Sequence, residues 1–194
     1  MRQIISETEL EEGVRRLAQR ISEDYDDQPL TIVGILQDSI VLLGDLMRRM
    51  EIPSHMCVVH TRRAHFGPGQ PATLDVDDHT ANVVNGRHVL IVDDVLDTGW
   101  SLFELTCALD NHNPLSVRSA VLLRKRNRQE VTVVPDYVVF DVPNELIVGY
   151  GLDCEGFYRN LPYIAALDPE DAAATRRGQD RSVPEFACID STLK

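Results

Sequence analysis

The sequence is short of positive charge and aromatic side chains and has no long hydrophobic run. Nineteen lysines and arginines stand against 31 aspartates and glutamates, which leaves a net charge of −12. Without a broad basic surface, binding of nucleic acid through its phosphates is disfavoured. No stretch approaches the roughly 18 apolar residues of a membrane span, and the N-terminal segment lacks the apolar core of a signal peptide. We therefore expect a cytoplasmic protein with neither nucleic acid nor membrane as a partner.

Cysteine is also scarce, with four residues and no C-x-x-C pair, which argues against a zinc site or a disulfide framework. The chain of 194 residues is 43% hydrophobic, enough to bury the core of a single domain. We predict that domain over residues 1–167. The segment 168–194 is polar and rich in small residues, so we predict a poorly ordered extension there.

Aliphatic runs alternate with segments of helical period along the chain. Ser6 and Glu9 have the spacing of a capping box, and apolar residues follow them at helical intervals. Runs of buried-strand character occur at 31–36, 55–60, 89–92, 117–123 and 136–140. This alternation predicts an α/β fold with a twisted, mainly parallel sheet flanked by helices. The segment 61–85 has no strong period and is predicted to be a long loop.

The stretch "HVLIVDDVLDTGWSLFEL" (88–105) places an acidic cluster after a buried strand and before a helix. Open α/β sheets bind ligands at the carboxyl ends of their parallel strands. A helix N-terminus with Thr98, Gly99 and Ser101 suits a phosphate, because free backbone N–H groups and small residues let an anion approach. Aspartates beside such a site act through Mg²⁺, through sugar hydroxyls or as an acid/base group. The residues alone leave these three roles open.

Three segments carry a resemblance to a known family. "VLIVDDVLDTG" is similar to the phosphoribosyl-diphosphate motif of type I phosphoribosyltransferases. "VPDYVVFDVPNELIVGYGLD" with "YRNLPYIAAL", and "GILQDSIVLLGDLMRRM", resemble segments of hypoxanthine-guanine phosphoribosyltransferases. The resemblance covers about residues 5–167 and implies the type I fold, with a small hood built from the N- and C-terminal parts. It also implies transfer of ribose 5-phosphate from phosphoribosyl diphosphate to hypoxanthine or guanine, with Mg²⁺, in a homodimer or homotetramer.

The resemblance further implies a role for each residue of the acidic motif. Asp97 becomes the acid/base group near the purine N7. Asp93 and Asp94 meet the ribose hydroxyls, directly or through Mg²⁺. The residues that hold the 5′-phosphate are Thr98, Gly99, Trp100 and Ser101.

The remaining implied roles lie on other segments. Lys125 reads the 6-oxo group of the purine, Leu146 lies at the position that packs on the base, and Ile147 offers backbone contacts to the base. Arg159 binds the diphosphate together with the turn at Gln37 and Asp38, and Asp153 corresponds to a second Mg²⁺ contact. Without the family, the basic run "RKRNR" (124–128) is equally well explained as a solvated turn.

Several positions depart from the family pattern. Gln37 and Asp38 stand where its members usually carry Lys-Gly or Arg-Gly, and Leu146 stands where most have an aromatic residue that stacks on the base. These departures leave a second hypothesis open, in which the protein is a weak or inactive relative that binds a nucleotide or phosphoribosyl diphosphate in a regulatory role. An RNA-binding regulator on the same fold is disfavoured by the net charge of −12.

Overall fold

The strands form two sheets, seen in a computed structural model that describes residues 1–26, 28–62, 73–74 and 76–176. In chain order the elements are β1 (Arg2–Ile5), α1 (Glu7–Tyr25), β2 (Leu30–Leu36), α2 (Ile40–Met47), β3 (Ser54–Arg62), β4 (Thr73–Leu74), α3 (Asp78–Val84), β5 (His88–Leu96), α4 (Trp100–Asp110), β6 (Ser116–Lys125), β7 (Tyr137–Val142), β8 (Ile147–Val148), β9 (Ile164–Ala166) and α5 (Pro169–Arg176). The larger sheet has the order β4-β3-β2-β5-β6-β7 and the smaller one the order β1-β9-β8.

Five strands of the larger sheet, β3, β2, β5, β6 and β7, are parallel, and β4 pairs antiparallel with β3 at one edge. All five strands that were expected from the sequence are present within a few residues of the predicted bounds. The predicted α/β class and mainly parallel sheet are thereby confirmed. Among the described residues, no helix is long and apolar enough to cross a membrane.

Alternating side chains along the central strands build one core on each face of the sheet. Ile32 of β2 and its register partner Leu90 of β5 pack with residues of α1 and α2. Their neighbours Val33 and Ile91 point to the other face and pack with residues of α3 and α4. Because both faces are covered by helices, the central strands are apolar without alternation, which is why the sequence shows continuous aliphatic runs.

The smaller sheet is the predicted hood, and it joins the two ends of the described chain. Arg2 of β1 and Ile147 of β8 both pair antiparallel with Ala166 of β9. The chain passes from this hood directly into α1, whose start is the predicted capping box. The Ser6 hydroxyl accepts from the Glu9 N–H at 3.3 Å, and the Glu9 carboxylate accepts from the Ser6 N–H at 2.8 Å.

Two segments differ from their predictions. Within 61–85, predicted as a loop, the structure has β4 and the helix α3, whose N-terminus is capped by Asp77 accepting from the Thr80 N–H at 2.7 Å. Seven residues are too few to display a helical period in sequence. The predicted disorder is wrong for 169–176, which form α5, while 177–194 lie outside the described part of the chain. Ala172 of α5 is buried in an apolar cluster with Leu161 and other hood residues, a tertiary contact that composition does not reveal.

The buried face of β6 yields a stability prediction. We expect Leu122→Ala to lower the free energy of unfolding by about 2–5 kcal/mol, because Leu122 is fully buried and its loss leaves a cavity. Leu115→Ala is the matched control, since Leu115 is 65% exposed and its loss should change that free energy by no more than about 0.5 kcal/mol. Urea unfolding followed by circular dichroism measures both. Equal effects of the two variants would contradict this assignment of the core.

Candidate active site

Three neighbouring strands carry candidate residues to one edge of the larger sheet. Gln37 and Asp38 follow β2, Asp97 follows β5, and Lys125 is the last residue of β6. Because these strands are parallel, their carboxyl ends meet at the same edge. Residues assigned to the diphosphate, acid/base and purine roles therefore lie along a single edge.

The turn between β5 and α4, residues 97–99, leads into a helix N-terminus that suits an anion, and we call it the cradle. Gly99 is the N-cap of α4 with φ 90° and ψ −8°, a left-handed conformation that favours glycine. A small cavity at this turn is lined by Asp93, Asp97, Thr98, Gly99 and Ser101, among others. The N–H groups in the first turn of a helix have no partner within the helix, so this turn can bind a phosphate.

A second segment packs directly on the cradle. The N–H groups of Glu130 and Val131 donate to the Thr98 carbonyl at 2.9 and 3.3 Å. A Cβ added at Gly99 would lie 3.1 Å from Val131 Cγ2 and 3.2 Å from its carbonyl oxygen. Glycine is therefore favoured at position 99 for two reasons, the left-handed backbone conformation and the close approach of Val131.

Asp93 and Asp94 lie inside β5. The sequence predicts that the strand ends where this acidic cluster begins. The strand continues to Leu96, and the two aspartates are only 8% and 5% exposed. Burial raises the pKa of Asp93 well above its usual range, helped by the neighbouring charge of Asp94. Burial likewise raises the pKa of Asp94, to about 6. Asp94 Oδ2 is buried with no hydrogen-bond partner among the described residues, so it is suited to a ligand hydroxyl or a cation.

Asp97 sits between two cations. Lys125 Nζ donates to Asp97 Oδ2 at 3.1 Å, and Arg128 Nε lies 3.0 Å from Asp97 Oδ1, without the angle of a hydrogen bond to that atom. The Lys125 side chain is 11% exposed, and that of Asp97 is 36% exposed. The site thus holds a proton acceptor and a cationic donor side by side, next to the cradle.

Arg159 is already bound to acidic groups of its own chain. It donates to the Asp38 carboxylate, to Asp153 Oδ1 at 2.8 Å and to the Gly151 carbonyl. The guanidinium has five N–H donors, and these contacts use three of them. The turn at Asp38 also lies against Gly151, where an added Cβ would be 2.4 Å from the Asp38 carbonyl oxygen. The structure therefore brings together Asp38, Asp153 and Arg159, the three charged residues expected near the diphosphate.

The two residues assigned to the purine from the hood differ in exposure. Leu146 is 37% exposed, and its carbonyl accepts from the Leu167 N–H at 2.8 Å. Ile147 is 4% exposed, and its side chain belongs to the main core, so only its backbone can face a base. Neither residue supplies an aromatic face for stacking.

Comparison with known proteins agrees with this geometry. A phosphoribosyl transferase domain family matches residues 2–155. The hypoxanthine-guanine phosphoribosyltransferase of Streptococcus pneumoniae is 34% identical over 167 residues, covering 86% of this chain and 93% of that protein. That of Dictyostelium discoideum is 36% identical over 173 residues, covering 86% of this chain and 95% of the other. The chain belongs to the hypoxanthine-guanine phosphoribosyltransferase family.

Solved structures of the family share the fold of this chain. Hypoxanthine phosphoribosyltransferase from Trypanosoma cruzi, in complex with the product IMP, superimposes with a TM-score of 0.80 at 30% identity, covering 87% of this chain and 95% of the other. A hypoxanthine-guanine phosphoribosyltransferase from Bacillus anthracis gives a TM-score of 0.75 at 31% identity, covering 86% and 96%. The type I phosphoribosyltransferase fold expected from the sequence is confirmed.

In this family member, sequence reasoning missed the contribution of the turn after β6. Arg128 faces Asp97, and Glu130 holds Thr98 through its backbone, although "RKRNR" also fitted a solvated turn. The spacing of Arg128, three residues after Lys125, was a visible signal. It could not be interpreted without knowing that the chain bends back over the cradle. Gly151 was missed for the same reason, since its requirement for glycine comes from the distant turn at Asp38.

The cradle generates a prediction with a matched control. Gly99→Ala and Gly86→Ala both place alanine at a positive φ, 90° and 67°, at a cost of about 1–2 kcal/mol in the free energy of unfolding. Only Gly99→Ala adds a contact with Val131 and alters the cradle, since an added Cβ at Gly86 meets nothing within 4 Å in the described structure. We expect only Gly99→Ala to weaken binding of ribose 5-phosphate, by about tenfold or more, as measured by calorimetric titration. Equal affinities for the two variants would place the phosphate elsewhere.

Proposed function

We propose that residues 1–167 form a purine phosphoribosyltransferase that acts on 6-oxopurines. It would transfer ribose 5-phosphate from phosphoribosyl diphosphate to hypoxanthine or guanine, giving IMP or GMP and diphosphate in purine salvage. In this reaction the bond from the ribose C1′ to the diphosphate oxygen breaks, and a bond from C1′ to a purine nitrogen forms. The observation that carries the proposal is the pair of Asp97 and Lys125 beside the cradle, with Nζ 3.1 Å from Oδ2.

The ribose 5-phosphate half of the substrate fits the edge between β5 and α4. The phosphate would lie against the backbone of Thr98, Gly99, Trp100 and Ser101, whose turn is left-handed at Gly99. Asp93 and Asp94 would accept hydrogen bonds from the ribose hydroxyls. The unpartnered Asp94 Oδ2 supports this role, because a buried carboxylate oxygen gains most from a donor brought by the ligand.

The purine half fits the space beside Asp97 and Lys125. Lys125 can donate to a 6-oxo group but would face another donor in the 6-amino group of adenine, so 6-oxopurines are favoured. Asp97 would exchange a proton with N7 as charge develops on the base. The exposed side chain of Leu146 and the backbone of Ile147 would complete the pocket from the hood, without aromatic stacking.

The diphosphate would lie between Arg159 and the turn at Gln37 and Asp38. Two of the five guanidinium donors of Arg159 are not used by the contacts to Asp38, Asp153 and Gly151, and could bind phosphate oxygens. Asp38 brings negative charge to the place where a diphosphate must bind. The site therefore needs additional positive charge before it can hold this leaving group.

The acidic residues fit Mg²⁺ when the substrate supplies further ligands. The described residues contain no group of three Asp, Glu, His or Cys side chains placed to hold a metal by themselves. Mg²⁺ is commonly held by one or two carboxylates together with substrate phosphates and water. We propose Asp93, Asp94 and Asp153 as the contacts, and the orphaned Oδ2 of Asp94 supports the first pair. A bound Mg²⁺ would neutralise charge on the departing diphosphate.

One observation favours the second candidate function, a weak or inactive relative that binds phosphoribosyl diphosphate or a nucleotide in a regulatory role. The Asp38 carboxylate accepts a hydrogen bond from the Arg159 guanidinium, which is the group proposed to bind the diphosphate. An internal anion on this guanidinium competes with the substrate. Such competition lowers affinity and does not by itself remove the acid/base pair of Asp97 and Lys125.

The proposal extends to assembly and location. We propose a homodimer or homotetramer, and the exposed apolar side chains of Ile40, Met56 and Val58 are candidates for its interface. We propose a cytoplasmic location, as expected from a sequence with four cysteines and no C-x-x-C pair.

The decisive experiment measures release of diphosphate with four acceptors in parallel. Hypoxanthine, guanine and xanthine would be compared with adenine in the presence of phosphoribosyl diphosphate and Mg²⁺. Turnover with hypoxanthine or guanine, and little with adenine, is the expected result. If ligands bind but no acceptor supports turnover, the regulatory alternative is favoured.

The proposed acid/base role of Asp97 gives a direct prediction. We expect Asp97→Asn to lower kcat by about 10²–10⁴-fold, because asparagine keeps the shape of the side chain without its basicity. Binding of phosphoribosyl diphosphate should change little. Steady-state kinetics and a calorimetric titration with phosphoribosyl diphosphate measure the two effects. An unchanged kcat would remove Asp97 from the mechanism.

The diphosphate turn gives a second prediction. The double change Gln37→Lys with Asp38→Gly should lower the apparent KM for phosphoribosyl diphosphate by about tenfold or more, since a hydrogen bond to a charged group contributes about 1.5–3 kcal/mol. The gain in affinity should be larger at low Mg²⁺, because less metal charge is then available to the diphosphate. In the double variant Arg159 is free of Asp38 at any Mg²⁺ concentration. The single variant Asp38→Asn isolates that release. Activity present only in the double variant would support the regulatory alternative, and an unchanged KM would mean that the diphosphate does not contact this turn.

A further inference from the structure

The turn after β6 is held against the cradle and does not project into solvent as a basic loop. The N–H groups of Glu130 and Val131 donate to the Thr98 carbonyl. The Glu130 carboxylate also accepts from Trp100 Nε1 at 3.3 Å. Backbone contacts from Glu130 and Val131 and a side-chain contact from Glu130 therefore fix this turn to Thr98 and Trp100.

Arg128 lies on this fixed turn and connects two acidic side chains. Its Nε is 3.0 Å from Asp97 Oδ1, and its Nη1 is 3.9 Å from Glu130 Oε1. The Asp97 Oδ1 atom is shielded from solvent and has no hydrogen-bond partner among the described residues, so the ion pair with Arg128 is the contact that offsets its charge. The two oxygens of Asp97 thus face different cations, Oδ1 facing Arg128 and Oδ2 facing Lys125.

The second cation matters when a purine binds. Lys125 then shares its ammonium between Asp97 and the 6-oxo group, which weakens its attraction to the Asp97 carboxylate. A shielded carboxylate oxygen that loses its cation is costly and tends to turn away towards water. A guanidinium keeps its protons at any ordinary pH, so Arg128 can hold Asp97 without taking part in proton exchange.

We propose that Arg128 is a positioning residue that keeps Asp97 directed at the purine while Lys125 turns to the purine oxygen. Glu130 aids this role by holding Arg128 over the cradle. The inference rests on the proposed function, because it assumes a purine beside Asp97. If Arg128 has this role, binding of the purine depends on Arg128 and binding of the phosphate does not.

The test compares IMP with ribose 5-phosphate, which has the same phosphate and lacks the purine. Calorimetric titrations of the full chain would use the wild type, Arg128→Ala, Arg128→Lys and the control Arg126→Ala. The substitution Arg126→Ala removes an equal charge from the same turn. Arg126 acts on a different carboxylate, Asp141, whose pKa is lowered chiefly by Arg124 and further by Arg126. We expect Arg128→Ala to raise the Kd for IMP by about tenfold, because the shielded Oδ1 of Asp97 then loses the cation that faces it.

The Kd of Arg128→Ala for ribose 5-phosphate should stay within about twofold of the wild type, and Arg128→Lys should recover part of the loss for IMP by restoring the charge. Arg126→Ala should match the wild type with both ligands. In kinetics, Arg128→Ala should raise KM for the purine and lower kcat, with KM for phosphoribosyl diphosphate nearly unchanged.

Loss of affinity for both ligands by the same factor, or no recovery in Arg128→Lys, would show that Arg128 only supports the turn and would overturn the inference. A loss in Arg126→Ala equal to that in Arg128→Ala would reduce the effect to net charge, with the same consequence. A wild type that binds ribose 5-phosphate but not IMP would overturn the proposed function, and the inference with it. A wild type that binds IMP without turnover would remove the proposed activity. The binding data of the Arg128 variants would then still decide the inference.

Discussion

Parallel pairing of β2, β5 and β6 is the constraint on which the rest of the site depends. In register, Gly34 of β2 lies beside Val92 of β5, and Leu96 of β5 lies beside Arg124 of β6. The three strands therefore deliver their following residues to one edge, although those residues are up to 88 positions apart between Gln37 and Lys125. A slip of one residue in any pairing would turn the apolar side chains of that strand to the wrong faces. Burial of the core thus fixes the geometry of the polar edge.

Charge balance is the second organising feature of this edge. Four carboxylates, Asp38, Asp93, Asp94 and Asp153, lie on the side proposed for the diphosphate and ribose, with Arg159 as the cation bound to two of them. Burial raises the pKa values of Asp93 and Asp94 in the absence of a ligand. A ligand that brings hydroxyl donors or a divalent cation relieves the cost of keeping these side chains charged. The side proposed for the purine is different, because there one carboxylate, Asp97, has two cations, Lys125 and Arg128.

The hood contributes residues that the parallel sheet cannot supply. Its strands β8 and β9 flank the segment that carries Gly151, Asp153 and Arg159. Close contact between Gly151 and the turn at Asp38 brings this segment to the edge of the sheet. The N-terminal strand β1 pairs with β9 in the same sheet, so the hood joins segments from near both ends of the described chain.

The sequence by itself determined the class of fold, the order of its main elements and the acidic strand-to-helix motif. These are local properties, since continuous aliphatic runs mark strands covered on both faces and the capping box at Ser6 marks a helix start. It also contained the candidate site residues, named through a resemblance to the family that the comparisons show. Only the tertiary structure decided which of them touch. The pairing of Asp38 with Arg159, the approach of Arg128 to Asp97 and the docking of α5 join segments far apart in the chain. Such contacts depend on how the elements pack together, and neither composition nor period records that.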